Sequence, residues 1–219
     1  MMLENNFYDR DAILVAKELL GKVLRVKYQH LWLSAKIIET EAYYIYEKGS
    51  HASLGLTKSR QALFMPAGTI YMYYARGGDS LNISCHGEGN AVLIKSGIVY
   101  HDELSGAASI AAMHSLNPLP GPRERPMLRL CSGQTLLCKS LHLKVPEWNK
   151  KQFDVEKFYI EDVDYTPERI IQTTRLGIPA GRDEHLLLHF VDQRYQKSTT
   201  KYVVKEKLAP RDGLEPPTQ

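Results

Sequence analysis

The sequence predicts an α+β single domain, a curved antiparallel sheet with helices packed around it, and three observations predict it. A capped apolar helical stripe opens the chain, two strand–turn–strand pairs follow, and three more strand candidates make strands dominant in the carboxyl-terminal half. With 219 residues, 43% of them hydrophobic and 24% charged, the chain suffices for one well-packed core. One domain over 1–207 is therefore expected, with a disordered tail over 208–219.

Each element has a local reason. Asp9-Arg10-Asp11 caps the apolar run Ala12 to Leu20, and Gly21 ends that helix. Lys22 to Tyr28 alternates charged and apolar residues, as a half-exposed strand does. Gln29-His30 turns it into a second strand, Trp32 to Tyr43. A polar loop, Glu47 to Arg60, carries His51, Lys58 and Arg60 and leads into the strand Thr69 to Tyr74. After the turn-rich Arg76-Gly77-Gly78-Asp79, the strands Leu81–Ser84 and Ala91–Lys95 pair around Gly87-Glu88-Gly89-Asn90. Asp102 to Leu116 reads as a helix, 117–126 as a proline-broken basic surface loop, and Thr135–Leu141 as a short helix. Phe158–Val163, Ile170–Thr173 and Leu186–Val191 complete the strands. No internal repeat is present.

Composition narrows the function. A net charge of +3 permits a polyanionic partner through a local basic face without demanding one. Cys85, Cys131 and Cys138 are odd in number and fit no zinc spacing, and the chain opens without a signal-like apolar stretch. A reduced, cytoplasmic protein is expected. No apolar run approaches the roughly 20 residues of a bilayer span.

The candidate site is the segment Glu39-Thr40-Glu41-Ala42-Tyr43 with the tyrosines of the next strand. Residues two apart share a strand face, so Glu39, Glu41 and Tyr43 point one way, as do Tyr71 and Tyr73, while Met72 and Tyr74 take the opposite face. A buried carboxylate beside a phenol is poor packing material unless both are partnered. Glu39 and Glu41, roughly 6.6 Å apart by strand rise, could alone suggest a two-carboxylate sugar hydrolase. The aromatics and the basic residues Lys58, Arg60, Arg76 and Lys95 favour a flat substrate instead, since each stacked face of a planar base gains about 1–3 kcal/mol. A lone histidine such as His51 in a polar loop is more often a surface residue.

Several runs in register carry a resemblance. Ile38-Glu39-Thr40-Glu41-Ala42-Tyr43, then Ser50-His51, Arg60, Gly68-Thr69-Ile70-Tyr71-Met72-Tyr73, Leu81-Asn82-Ile83 and Ala91-Val92-Leu93-Ile94-Lys95 are similar to the 3-methyladenine (alkyladenine) DNA glycosylase family. Ala16 to Leu24, the two segments around Cys131 and Cys138, and Arg175-Leu176-Gly177-Ile178 extend it from about Phe7 to Thr200.

The resemblance implies a monofunctional N-glycosylase, without lyase activity, that removes 3-methyladenine, 7-methylguanine, hypoxanthine or ethenoadenine from double-stranded DNA in base excision repair. Such an enzyme extrudes the damaged nucleotide before cleaving its glycosidic bond. The family's general base falls on Glu41, with Lys95 holding it charged. Tyr43 would stack on one face of the flipped base, His51 and Tyr73 on the other, and the His51 amide would meet the base edge. Asn82 would crowd the exocyclic amine of normal guanine. Arg76 stands where many members carry a tyrosine wedge, so Arg76 or Tyr74 is assigned to intercalation, and Arg60 to the DNA backbone. Lys95 replaces a frequent arginine and lacks its bidentate fork. For Glu39 a structural role is expected, bonding backbone or a basic side chain. No metal or other cofactor is implied, and the expected state is a monomer, nucleoid-associated in a prokaryote. The alternative from another class is a non-catalytic binder of single-stranded nucleic acid that uses the tyrosine strand as a stacking platform and does not need Glu41.

Overall fold

The computed structural model describes residues 1–75 and 77–200. Arg76 and everything beyond residue 200, including the tail expected from 208, lie outside the described residues.

The amino end folds as two short helices, α1 (Asn5–Tyr8) and α2 (Ala12–Glu18). Asp11 caps the second, accepting from Ile13 N at 2.9 Å and Leu14 N at 3.3 Å. Gly21 follows with φ +90°, where a Cβ would stand 2.3 Å from the Tyr165 ring, so both conformation and space require glycine.

Among the described residues eight strands, all paired antiparallel, form one sheet. They are β1 (Val23–Tyr28), β2 (Leu31–Tyr43), β3 (Ile70–Ala75), β4 (Gly78–Ser84), β5 (Ala91–Val99), β6 (Phe158–Glu161), β7 (Ile170–Thr173) and β8 (His189–Asp192). Their order is β3-β4-β5-β2-β1-β6, with β8 joining β2 and β7. The long strand β2 explains the curvature. Its first half pairs with β1, its residues Glu39–Glu41 pair with β8 on that same edge, and β5 runs along the other edge. Irregular register at Ile37/Glu39 and Glu39/Thr40 marks the bend between the halves.

Helices α3 (Ala107–Leu116), α4 (Gln134–Ser140) and α5 (Val145–Trp148) pack against β2, β4 and β3 respectively. The main core gathers Leu19, Leu24, Leu33, Ile37, Ile70, Met72, Leu81, Phe158 and Phe190. A smaller cluster, Ala52, Ala62, Leu63, Tyr71 and Ala91, lies beneath the 51–64 segment.

The α+β expectation holds, with three local corrections. The helix expected from Asp102 begins only at Ala107, because the Asp102 carboxylate caps the preceding turn at Leu104 N and Ser105 N and holds Arg25. Strand β1 is mostly buried rather than half exposed; its Arg25 is 2% exposed and forked between Asp102 and Glu161. Glu47, assigned to a polar loop, is fully buried against Arg175.

Candidate active site

A cavity of about 660 Å³ opens on the face shared by β2, β5, β4 and β3. Its floor comes from strand alternation. On β5, Ala91, Leu93 and Lys95 line it while Val92 and Ile94 enter the core. On β3, Tyr71 and Tyr73 line it while Met72 is buried behind.

Glu41 is completely buried. One oxygen, Oε1, accepts from Lys95 Nζ at 2.8 Å, and Oε2 accepts from the Tyr43 hydroxyl at 2.6 Å. Burial pushes this carboxyl up, but the Lys95 ammonium, the nearby His189 and the two hydrogen bonds outweigh it, so its pKa lies below the ordinary value. The same pair works in reverse on Lys95. Burial alone would favour its neutral amine, yet the Glu41 carboxylate raises its pKa above the usual lysine value. Burial and Glu41 together push the Tyr43 phenol well up, so it remains a donor.

Glu39 shares that face and has a different set of partners. His189 Nε2 lies 2.8 Å from Oε1, Thr200 N donates to Oε2 at 3.0 Å, and the Thr200 and Ser96 hydroxyls also donate. Ser96 Oγ in turn accepts from Gly133 N at 2.9 Å, ahead of α4. Glu39 therefore ties β2 to β5, β8 and the wall at Gly133 and Thr200, the structural role expected of it.

Irregular register is what allows both carboxylates their partners. Strict alternation would send the consecutive residues Lys95 and Ser96 to opposite faces of β5. The pairing instead skips Lys95 between Glu39↔Ser96 and Thr40↔Ile94, and Lys95 reaches Glu41 while Ser96 reaches Glu39.

The aromatic side is equally connected. Ser50 caps the short 3-10 turn His51–Leu54, accepting from Ala52 N at 3.2 Å. His51 Nδ1 lies 3.1 Å from the Tyr71 hydroxyl, and its ring meets that of Tyr73 edge-on at 4.4 Å. Tyr71 and Tyr73 stack at 5.4 Å. Burial, then the charges of Arg60 and Arg182, lower the His51 pKa, favouring the neutral ring. Asn82 lines the cavity and donates to Tyr71 O at 3.2 Å.

Thus Tyr43, His51, Tyr73, Asn82 and Lys95 line one cavity, with Tyr74 at its rim, 65% exposed, and Glu41 lies buried behind Tyr43 and Lys95, which bond its two oxygens. Arg76 lies outside the described residues. Arg60 is engaged within its own loop, donating to the Gly55 and Leu54 carbonyls. Among the described residues no three His, Cys, Asp or Glu side chains gather as a metal site. The three thiols are buried, and burial pushes Cys85 and Cys131 up to about 12. No helix among the described residues is long and apolar enough to cross a membrane.

Two elements of the site carried no assigned role in the sequence. Arg175 lies with its guanidinium 4.4 Å from the centre of the Tyr43 ring, donates to Ala42 O at 3.0 Å, and pairs with buried Glu47. Its place in the Arg175-Leu176-Gly177-Ile178 run was the available signal. His189 had none, because its contact with Glu39 spans 150 residues.

The profile of the methylpurine-DNA glycosylase family matches residues 6–196. A protein of Pseudomonas syringae pv. syringae (strain B728a) is 60% identical over 199 residues, covering 91% of this chain and 89% of its own. One of Pseudomonas fluorescens (strain Pf0-1) is 60% identical with 91% and 86% covered. A more distant one, of Clostridium beijerinckii, is 32% identical over 183 residues, with 81% and 88% covered. All three carry the name "Putative 3-methyladenine DNA glycosylase".

Proposed function

The chain belongs to the methylpurine-DNA glycosylase family, and from that premise we propose that it extrudes alkylated or deaminated purines from duplex DNA and hydrolyses their N-glycosidic bond. The observation that carries this reading is the environment of Glu41: a carboxylate buried directly behind an aromatic cavity, bonded to Tyr43 and Lys95 that line it, and held ionised by Lys95. A buried ionised acid is costly to maintain and suits a general base.

The chemistry runs through these residues. Glu41 accepts a proton from a water whose oxygen attacks the anomeric carbon of the extruded nucleotide. The carbon–nitrogen bond breaks and its electron pair leaves with the base. Lys95 and the Tyr43 hydroxyl fix the carboxylate's orientation through its two oxygens. The Tyr43 ring stacks on one face of the base, His51 and Tyr73 on the other, with the His51 amide at its edge. Asn82 excludes normal guanine by crowding its amine. For 3-methyladenine and 7-methylguanine the cationic purine leaves readily, so stacking and water activation suffice; hypoxanthine and ethenoadenine are neutral, and the same attack on them also needs a general acid that delivers a proton to the departing base.

Lyase chemistry would need a neutral amine nucleophile. The raised pKa of Lys95, bonded to Glu41, opposes that role and supports a monofunctional enzyme. Contact with the duplex falls to Arg76 or Tyr74 as wedge and to basic side chains such as Arg60. The protein acts as a monomer without metal or organic cofactor, in a cytoplasmic, nucleoid-associated setting.

The test is a duplex oligonucleotide carrying a single hypoxanthine, incubated with the protein and then cleaved by alkali at any abasic site. Strand scission is expected. Binding without scission would favour the alternative, a stacking platform for single-stranded nucleic acid.

A further inference from the structure

The segment Leu54-Gly55-Leu56 holds two large apolar side chains in solvent beside the cavity, 59% and 63% exposed. The proposed chemistry uses neither. Three observations set this tip apart from an ordinary surface loop. Gly55 has φ +77° and open space where a Cβ would stand, so the turn presents its flanking leucines outward. Arg60 reaches back to donate from Nε to Gly55 O at 2.8 Å and from Nη2 to Leu54 O at 3.0 Å. The tip is therefore held in shape by a charged fork. Leu54 also lines the cavity with Tyr74 and Leu176, so the tip is continuous with the pocket mouth.

The charge around it fits a polyanion. Lys58, two residues after Leu56, is exposed, and so are Lys48 and Arg182. Arg182 lines the cavity with Leu54 and donates from Nε to Lys48 O at 2.8 Å, and the charges of Arg60 and Arg182 reach His51. Nearby Asp183 and Glu184 are committed to loop bonds, accepting from Lys48 N at 2.8 Å and Arg182 N at 3.2 Å. An apolar tip with cations beside it matches a duplex, whose phosphates lie outside and whose stacked bases lie within.

We infer that Leu54 and Leu56 form an apolar finger that enters the duplex beside the extruded nucleotide and fills part of the space it leaves. The inference rests on the glycosylase reading above. Extrusion opens a gap in the base stack, and moving a leucine from water into that gap favours the extruded state by roughly tenfold. Leucine offers no hydrogen-bonding group, so the finger acts without reading sequence. Arg60 braces the tip through Nε and Nη2, and this lowers the ordering cost on binding.

The test compares the full-length wild type with Leu56→Ser and with the double variant Leu54→Ser/Leu56→Ser. Hypoxanthine excision is measured in single turnover from a duplex and from the same strand alone. A 2-aminopurine beside the lesion reports unstacking before any bond breaks. On the duplex, excision and the fluorescence rise are expected to fall by about tenfold per leucine, with single-strand excision much less affected and Leu56→Phe restoring the duplex rate. Unchanged duplex excision, or equal losses on both substrates, would overturn the finger. A wild type that unstacks the duplex in a leucine-dependent way but releases no base would instead sink the glycosylase reading and leave the finger standing.

Discussion

Glu41, behind the floor of the cavity, is fully buried, whereas Leu54 and Leu56 at its mouth stand more than half exposed. The buried side is made by strands: its key groups come from β2, β5 and β8, and its hydrogen-bonded pairs join residues 54 and 150 positions apart. The mouth is made by one short loop whose bracing bonds span only five and six residues. Long-range pairing fixes the buried charges. Local turn chemistry shapes the exposed rim. Mutations should therefore act differently in the two regions.

The sharpest test of the floor is Glu41→Gln. Gln keeps the shape and loses the base, so excision of hypoxanthine should fall by about 10²–10⁴-fold in single turnover. Full excision by this variant would break the assignment of the floor to chemistry.

Removing a buried partner is expected to cost stability rather than chemistry alone. Arg175→Met leaves the Glu47 carboxylate buried and unpaired and removes the guanidinium from the Tyr43 ring. Unfolding free energy should drop by about 3–5 kcal/mol in denaturant titration. Adding Glu47→Gln should recover part of that loss; no recovery would show that packing, not charge, dominates there.

The pH profile follows from the two shifted groups. Glu41 is depressed, so its contribution is present above the ordinary carboxylate value of about 4.3 and is lost as pH falls through its lower folded value. Lys95 is raised, so its contribution is complete below about 10.4 and is lost as pH rises through its higher folded value. Excision of a cationic lesion such as 3-methyladenine should then be flat from about pH 7 to 9, above the lowered His51 pKa and below the raised Lys95 pKa. A limb near neutrality would assign the controlling proton to another group.

The smallest effect is expected at the mouth. Arg60→Ala removes two hydrogen bonds from a solvent-facing loop and should change stability by no more than about 1 kcal/mol. Its loss should loosen the tip and weaken duplex binding. A large stability loss would make the mouth part of the core and erase the contrast.

Much of this was legible in the residues. Asp11 capping α2, the turn at Gln29-His30 and the shared face of Tyr71 and Tyr73 follow from local rules of caps, turns and alternation. The separate partners of the two carboxylates were also expected, Glu39 bonded by backbone and Glu41 beside Lys95. The buried status of Glu47 and Arg25 was not legible, because a charged side chain reads as solvent-facing until its partner is known. Those partners, Arg175 for one and Asp102 and Glu161 for the other, lie 77 to 136 residues away.

By itself, then, the sequence determined the order and type of the elements, the face on which each strand side chain stands, and the family. These depend on period, caps and runs in register, all properties of neighbouring residues. Only the tertiary structure decided which charges meet. The irregular pairing of β5 with β2 turns both Lys95 and Ser96 toward the two carboxylates, and the arrival of β8 brings His189 to Glu39. A shift of one residue in pairing changes which side chains share a face, and that register is set by packing across the whole sheet.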